Sequence, residues 1–137
     1  MYNSKLYNIL EHFDKYEQNR CRKYIESPYF NRSPQLLQLY ERLVKEVNAT
    51  TKKGLEKEML WELLQPDKPY DDVRFRKYCS DLQKLIEGYL QQEVYRENPI
   101  EQSAHLMRAV RQKSLPELFN TATRNAKHAA NKFPYRS

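Results

Sequence analysis

Glycine is nearly missing from this sequence. Only two of the 137 residues are Gly, at positions 54 and 88, and two isolated glycines cannot build a phosphate-cradling loop. Val, Ile and Thr are sparse beside Leu, Lys, Glu and Gln, which argues against a sheet and for helix. No run approaches the ~18 apolar residues that a membrane span needs, so no membrane role is expected. Met1-Tyr2-Asn3-Ser4-Lys5 offers neither an apolar segment nor a small-residue cleavage site, so a cytoplasmic chain without a signal peptide is expected. Cys21 and Cys79 stand far apart, and His12, His105 and His128 are scattered. Neither type falls at metal-ligand spacing, and the thiols fit buried, reduced cysteine on apolar helix faces. No serine lies in a nucleophile elbow. Ser27 suits a local backbone contact before Pro28, Ser80 the flank of a helix, and Glu11-His12 a surface pair. The chain is therefore expected to be no enzyme, with no metal, no cofactor and no small-molecule substrate.

What remains is helical patterning in a chain long enough for one sizeable core. Between Asp71 and Asn98, the residues Phe75, Tyr78, Cys79, Leu82, Leu85, Ile86, Tyr89 and Leu90 recur at spacings of three and four. That period draws one wide apolar stripe down a helix over about 72–97, capped by Asp71 and closed by Asn98-Pro99. Upstream, Leu6, Ile9, Leu10 and Phe13 mark a short first helix. Asp14-Lys15-Tyr16-Glu17 reads as a capping box for a second, which buries Cys21, Tyr24 and Ile25 and stops at Ser27-Pro28. Tyr29 and Phe30 follow and are expected in the core, because two large rings left in water are costly. Ser33-Pro34 starts a third helix, with Leu36, Leu37, Tyr40, Leu43, Val44 and Val47 inward. A fourth, over about 55–65, turns Leu55, Met59, Leu60, Leu63 and Leu64 inward, with Trp61 on its flank. Beyond Pro99 a sixth helix carries Ile100, Ala104, Met107 and Val110. Ser114-Leu115-Pro116-Glu117 reads as the capping box of a seventh, with Leu118, Phe119, Ala122, Ala126, Ala129 and Ala130, before Phe133-Pro134-Tyr135 ends it. The expected fold is all-α: about seven helices, a bundle over 1–98 around the long helix, then a helix pair over 99–137. Residues 1–137 forming one domain is the alternative division.

Acidic residues are scarce in the last quarter. Residues 102–137 hold seven basic side chains (Arg108, Arg111, Lys113, Arg124, Lys127, Lys132 and Arg136) against Glu117 alone, so the net charge of +6 resides there entirely. Such an excess suits an anionic partner or an acidic protein surface. Arg108, Arg111, Lys113, Arg124 and Lys127 are the candidate contacts. Base-stacking aromatics are not interleaved with them, and Lys113 also suits a helix C-terminus. A helix-turn-helix over the fourth and fifth helices fits poorly. The link is too long, the second helix far exceeds what groove docking needs, and Asp71, Asp72 and Asp81 would face phosphates. Arg74 and Arg76 are instead expected to pair with acidic groups on neighbouring helices. Eleven tyrosines suit the edges of a core and wet interfaces.

Two stretches carry a resemblance. Tyr24-Ile25-Glu26-Ser27-Pro28-Tyr29-Phe30-Asn31 and Pro69-Tyr70-Asp71-Asp72-Val73-Arg74-Phe75-Arg76, followed by Ser80-Asp81-Leu82, resemble an uncharacterised family of bacterial all-helical proteins. The likeness spans essentially the whole chain and departs at Phe13-Asp14, where the family has an aromatic residue followed by Ser. It implies no activity. It gives Ser27, Pro28, Tyr29, Phe30, Asp71, Arg74, Phe75, Arg76 and Ser80 as motif residues of structural character, and it implies longer members, of which this chain would be an N-terminal portion or a truncated form. Ala122, Ala129 and Pro134 also match the end of a tetratricopeptide-type repeat, which would make the last two helices the start of a stack needing a neighbour. The functional expectation is a non-enzymatic interaction or scaffold protein, binding a protein partner or its own further helices. The alternative is a nucleic-acid-binding protein using the basic region 102–137.

Overall fold

Seven helices form in the computed structural model, which describes residues 1–132, with side chains through residue 129. They are α1 (Lys5–Glu11), α2 (Lys15–Glu26), α3 (Pro34–Asn48), α4 (Lys57–Leu64), α5 (Asp72–Arg96), α6 (Pro99–Gln112) and α7 (Pro116–Lys132). Among the described residues there is no strand, so the fold is all-α. None of these helices is long and apolar enough to cross a membrane. The chain divides into two compact units, Met1–Tyr89 and Leu90–Ser137. Phe133, Pro134 and Tyr135 lie outside the described residues, and so does the Pro134 end of the repeat pattern.

Local chemistry sets most boundaries in the first unit. Asp14 accepts the Glu17 N–H at 2.8 Å while Glu17 accepts the Asp14 N–H at 3.1 Å, a reciprocal cap that satisfies two donors at the start of α2. Asp71 Oδ1 accepts the Arg74 N–H at 3.1 Å and caps the start of α5 without a reciprocal bond. Ser33 does not cap α3, because its hydroxyl donates to Gln35 instead. The turn is held by Asn31, whose amide donates to the carbonyls of Ile25 and Ser33 at 3.0 Å and whose Oδ1 accepts the Ser33 N–H at 3.0 Å. One side chain thus ties the end of α2 to the start of α3.

The core of this unit gathers Leu6, Tyr7, Leu10 and Phe13 with Cys21 and Ile25, then Leu36, Leu39, Tyr40 and Leu43. Leu60, Trp61 and Leu64 of α4 and Phe75, Leu82, Ile86 and Tyr89 of α5 complete it. Leu39 and Tyr7, absent from the sequence-derived stripes, are buried, while Leu37, Val44 and Val47 are only partly covered. The closest helix approaches are those of α1, α2 and α4 to α3, so α3 is the inner helix. The α5 stripe closes the core through large rings: Tyr89 packs 5.9 Å from Phe13 and 6.2 Å from Tyr24. Gly88 makes room for this, since a methyl built there would lie 2.5 Å from Tyr24 Oη.

Three expectations about burial are overturned. Tyr29 is 89% exposed and Phe30 44%, so neither plugs the core. The Ser27 carbonyl accepts the N–H groups of both Phe30 and Asn31, closing a tight turn that leaves the two rings at the surface. Phe30 gains cover by stacking on Tyr24 at 4.2 Å. Met59 and Leu63 are exposed, and Trp61 takes the inward place, its indole N–H satisfied by the Lys68 carbonyl at 2.9 Å. Leu90 is also exposed.

In the second unit, the Ser114 capping box does not form. Ser114 has φ +56° and ends α6 rather than starting α7. Its N–H reaches the Arg111 carbonyl at 3.2 Å and the Leu115 N–H reaches Val110 at 3.1 Å, which is a Schellman closure with Ser where Gly is usual. Among the described residues of this unit, Val110, Ala122 and Ala129 are the buried hydrophobic ones, and Ala104 is exposed.

Candidate partner-docking groove

The second unit is built from two helices whose packing leaves an apolar opening. Asn98 caps α6 by accepting the Glu101 N–H at 3.1 Å. Tyr95 stacks on His105 at 5.4 Å, and its carbonyl accepts Gln102 Nε2 at 2.7 Å. The Schellman closure then turns the chain sharply so that Leu115 and Pro116 sit opposite Val110. A groove of about 500 Å³ results, lined by Val110, Leu115, Pro116 and Phe119, with Arg111 and Asn120 at its polar rim. Leu115 is 46% exposed, and Phe119 is half-buried. The Arg111 guanidinium lies 5.7 Å from the Phe119 ring centroid, close enough for a cation–π contact.

The sequence-derived basic residues all belong to this unit. Arg108, Arg111, Lys113, Arg124 and Lys127 are exposed. Helical spacing puts Arg108 with Arg111 on one face of α6, and Arg124 with Lys127 on one face of α7. Of the five, Arg111 reaches the groove, and Lys113 is the C-cap of α6, where a cation complements the carbonyl end of the helix. Lys132 and Arg136 have no described side chains.

The motif residues lie in the first unit and serve different ends. Ser27 is the C-cap of α2, Pro28, Tyr29 and Phe30 form the turn after it, and Asp71 caps α5. Phe75 is buried, and Arg74 is exposed. Arg76 pairs with Asp72 at 3.0 Å, one turn earlier on its own helix, not with a neighbouring helix as expected. Ser80 is exposed beside a cavity.

Glu46 escaped the sequence reading altogether. It is 1% exposed, yet it sits among groups suited to a carboxylate. Tyr2 Oη donates to it at 2.6 Å and the Lys53 N–H at 2.7 Å, while Arg42 bonds its other oxygen at 3.2 Å. Tyr2 above all, with the Lys53 and Gly54 amides and Arg42, holds its carboxyl at about 2, below the ordinary 4.5, against the opposing pull of burial. Gly54 has φ +102°, a conformation glycine adopts at no steric cost, and its N–H reaches Tyr2 Oη at 2.8 Å. The cluster pins the loop after α3 to the N-terminal segment. No group of three or more acidic, His or Cys side chains able to hold a metal occurs among the described residues.

Compared with known proteins, the chain matches no family model, no curated protein and no solved structure.

Proposed function

We propose that this chain is a non-enzymatic interaction module whose α6–α7 groove receives an acidic amphipathic helix of a protein partner. The observation that carries this reading is an open apolar floor rimmed by Arg111, in one two-helix unit that also exposes Arg108, Lys113, Arg124 and Lys127. Leu115 and the half-buried Phe119 ring supply the floor. Covering them fully would stabilise a complex by roughly 2 kcal/mol each. Arg108, Arg111, Arg124 and Lys127 would select a partner with carboxylates flanking its apolar stripe, raising the association rate and rejecting basic helices. In a stacked-helix architecture the same groove would face the next helix, so the mode of docking is helix against helix. A nucleic acid would use the cations but gain little from Leu115 and Pro116.

The test is a fluorescence-anisotropy titration with a designed helix of about 18 residues, Leu on one face and Glu on its flanks. A copy with Lys in place of Glu and a scrambled copy are the comparisons. The acidic helix should bind best. Arg111→Glu with Arg124→Glu should weaken it at least tenfold, and Leu115→Asp should abolish it. Equal binding of the scrambled copy would remove the proposal. So would tight binding of a DNA or RNA oligonucleotide with a steep salt slope and no response to Leu115→Asp, which would favour the nucleic-acid reading. A dimer whose formation Leu115→Asp blocks would show a second copy of this chain to be the occupant.

A further inference from the structure

The first unit carries a cavity that the docking groove does not involve. It opens between the beginning of α1, the beginning of α4 and one side of α5, and its volume is about 410 Å³, within the range typical of small-ligand pockets, about 300–1,000 Å³. Leu6, Phe75 and Cys79 give it an apolar floor, and Leu6 and Phe75 are buried. Its rim is cationic: Lys5, Lys57, Arg76 and Lys84 line it, against Glu87.

Residues 1–101 carry equal numbers of basic and acidic side chains, so this local excess arises only on folding. Glu56 and Glu58 flank Lys57 in sequence but do not line the opening, and two further acids nearby are already paired, one of them with the rim's own Arg76. Asp72 holds Arg76 at 3.0 Å, and Lys77 holds Asp81 at 3.2 Å. Among the described residues, Lys5, Lys57 and Lys84 make no ion pair. Three lysines from three helices therefore surround one opening with a single carboxylate among them. The floor adds no charge of its own. Burial pushes the Cys79 thiol up to about 11, while Lys57 pulls in the opposite direction, so the thiol is neutral near pH 7 and lies within the field of that lysine.

We infer that this cavity binds a small amphipathic carboxylate, its head met by Lys5, Lys57 and Lys84 and its apolar body laid against Leu6, Phe75 and Cys79. Ser80, exposed at the edge, supplies a hydroxyl donor to the head. The motif residues Phe75 and Arg76 are adjacent on α5, Ser80 follows four positions after Arg76, and all three line this opening. That gives the second sequence motif a role in a site as well as in packing.

Calorimetry on the whole chain with octanoate, octylammonium and inorganic phosphate separates the contributions. Octanoate should bind, and its addition should shift the amide resonances of Cys79 and Ser80 while leaving Leu115 and Phe119 unmoved. Lys57→Gln with Lys84→Gln, both exposed positions, should weaken octanoate at least tenfold. Arg124→Gln should leave it unchanged. The inference is overturned by equal binding of octylammonium, by phosphate binding as tightly as octanoate, or by resonance shifts elsewhere. Unaltered affinity in the double lysine variant overturns it too. Because the lysine variants and the resonances expected to shift lie in the first unit, failure here leaves the α6–α7 groove untouched, and failure there leaves this cavity untouched.

Discussion

At the scale of single residues, the buried polar groups of Tyr40, Gln18 and Glu46 have close partners, whereas the buried Tyr7 hydroxyl has none among the described residues. Tyr40 Oη donates to the Gln18 carbonyl at 2.7 Å, and Gln18 exchanges amide hydrogen bonds with Asn48 at 2.9 and 3.1 Å. Glu46 is the extreme case, an acid nearly removed from solvent and held ionised by donors. Its folded-state pKa is depressed, so its contribution is fully present above the ordinary 4.5 and is lost as pH falls toward about 2. Thermal melts of the parent chain should lose stability across that interval. Glu46→Gln should be less stable near neutral pH and should fall less steeply through the same interval. Equal slopes in parent and variant would count against the cluster. Sequence spacing announces only the Arg42–Glu46 pair, one turn apart on α3; Tyr2 and Gly54 meet Glu46 only after α3 and the following loop fold back on the N-terminus.

At the scale of elements, α5 was legible because its stripe persists for about four turns, and a 3.6-residue period over that length has no other reading. The caps at Asp14 and Asp71 were legible because their donors lie three residues away. Shorter elements were less so. With only eight residues, α4 can rotate its buried face by one position, and Trp61 displaced Met59 and Leu63 once Lys68 could accept the indole N–H. Ser114 was claimed by two helix ends at once, and the closing of α6 won. Gly88 illustrates packing overriding propensity. Gly in a helix interior costs about 1 kcal/mol relative to Ala, yet its missing methyl admits Tyr24, itself stacked on Phe30. Gly88→Ala should therefore destabilise the chain by about 1 kcal/mol as Tyr24 is displaced, whereas in a Tyr24→Leu background it should stabilise by about the same amount. Urea unfolding of the four variants measures the coupling, and additivity would refute the contact.

At the scale of the whole molecule, the two units differ in how much they bury. The first encloses a continuous core from α1 to α5, and among its described residues the second buries Val110, Ala122 and Ala129. Local stability follows buried apolar contact, so amide exchange along α6 and α7 should be faster than along α3 and should slow when the acidic helix is added. Protection of α6 and α7 equal to that of α3 in the free chain would contradict this. Composition and periodicity alone settled that the chain is all-helical, where its long helix runs and where its charge collects, because these depend on residues a few positions apart. Tertiary structure decided which helix lies innermost, which rings stay wet, and that Lys5, Lys57 and Lys84 share one opening. Those outcomes depend on side chains brought together across up to about eighty residues of sequence, a distance over which local spacing carries no information.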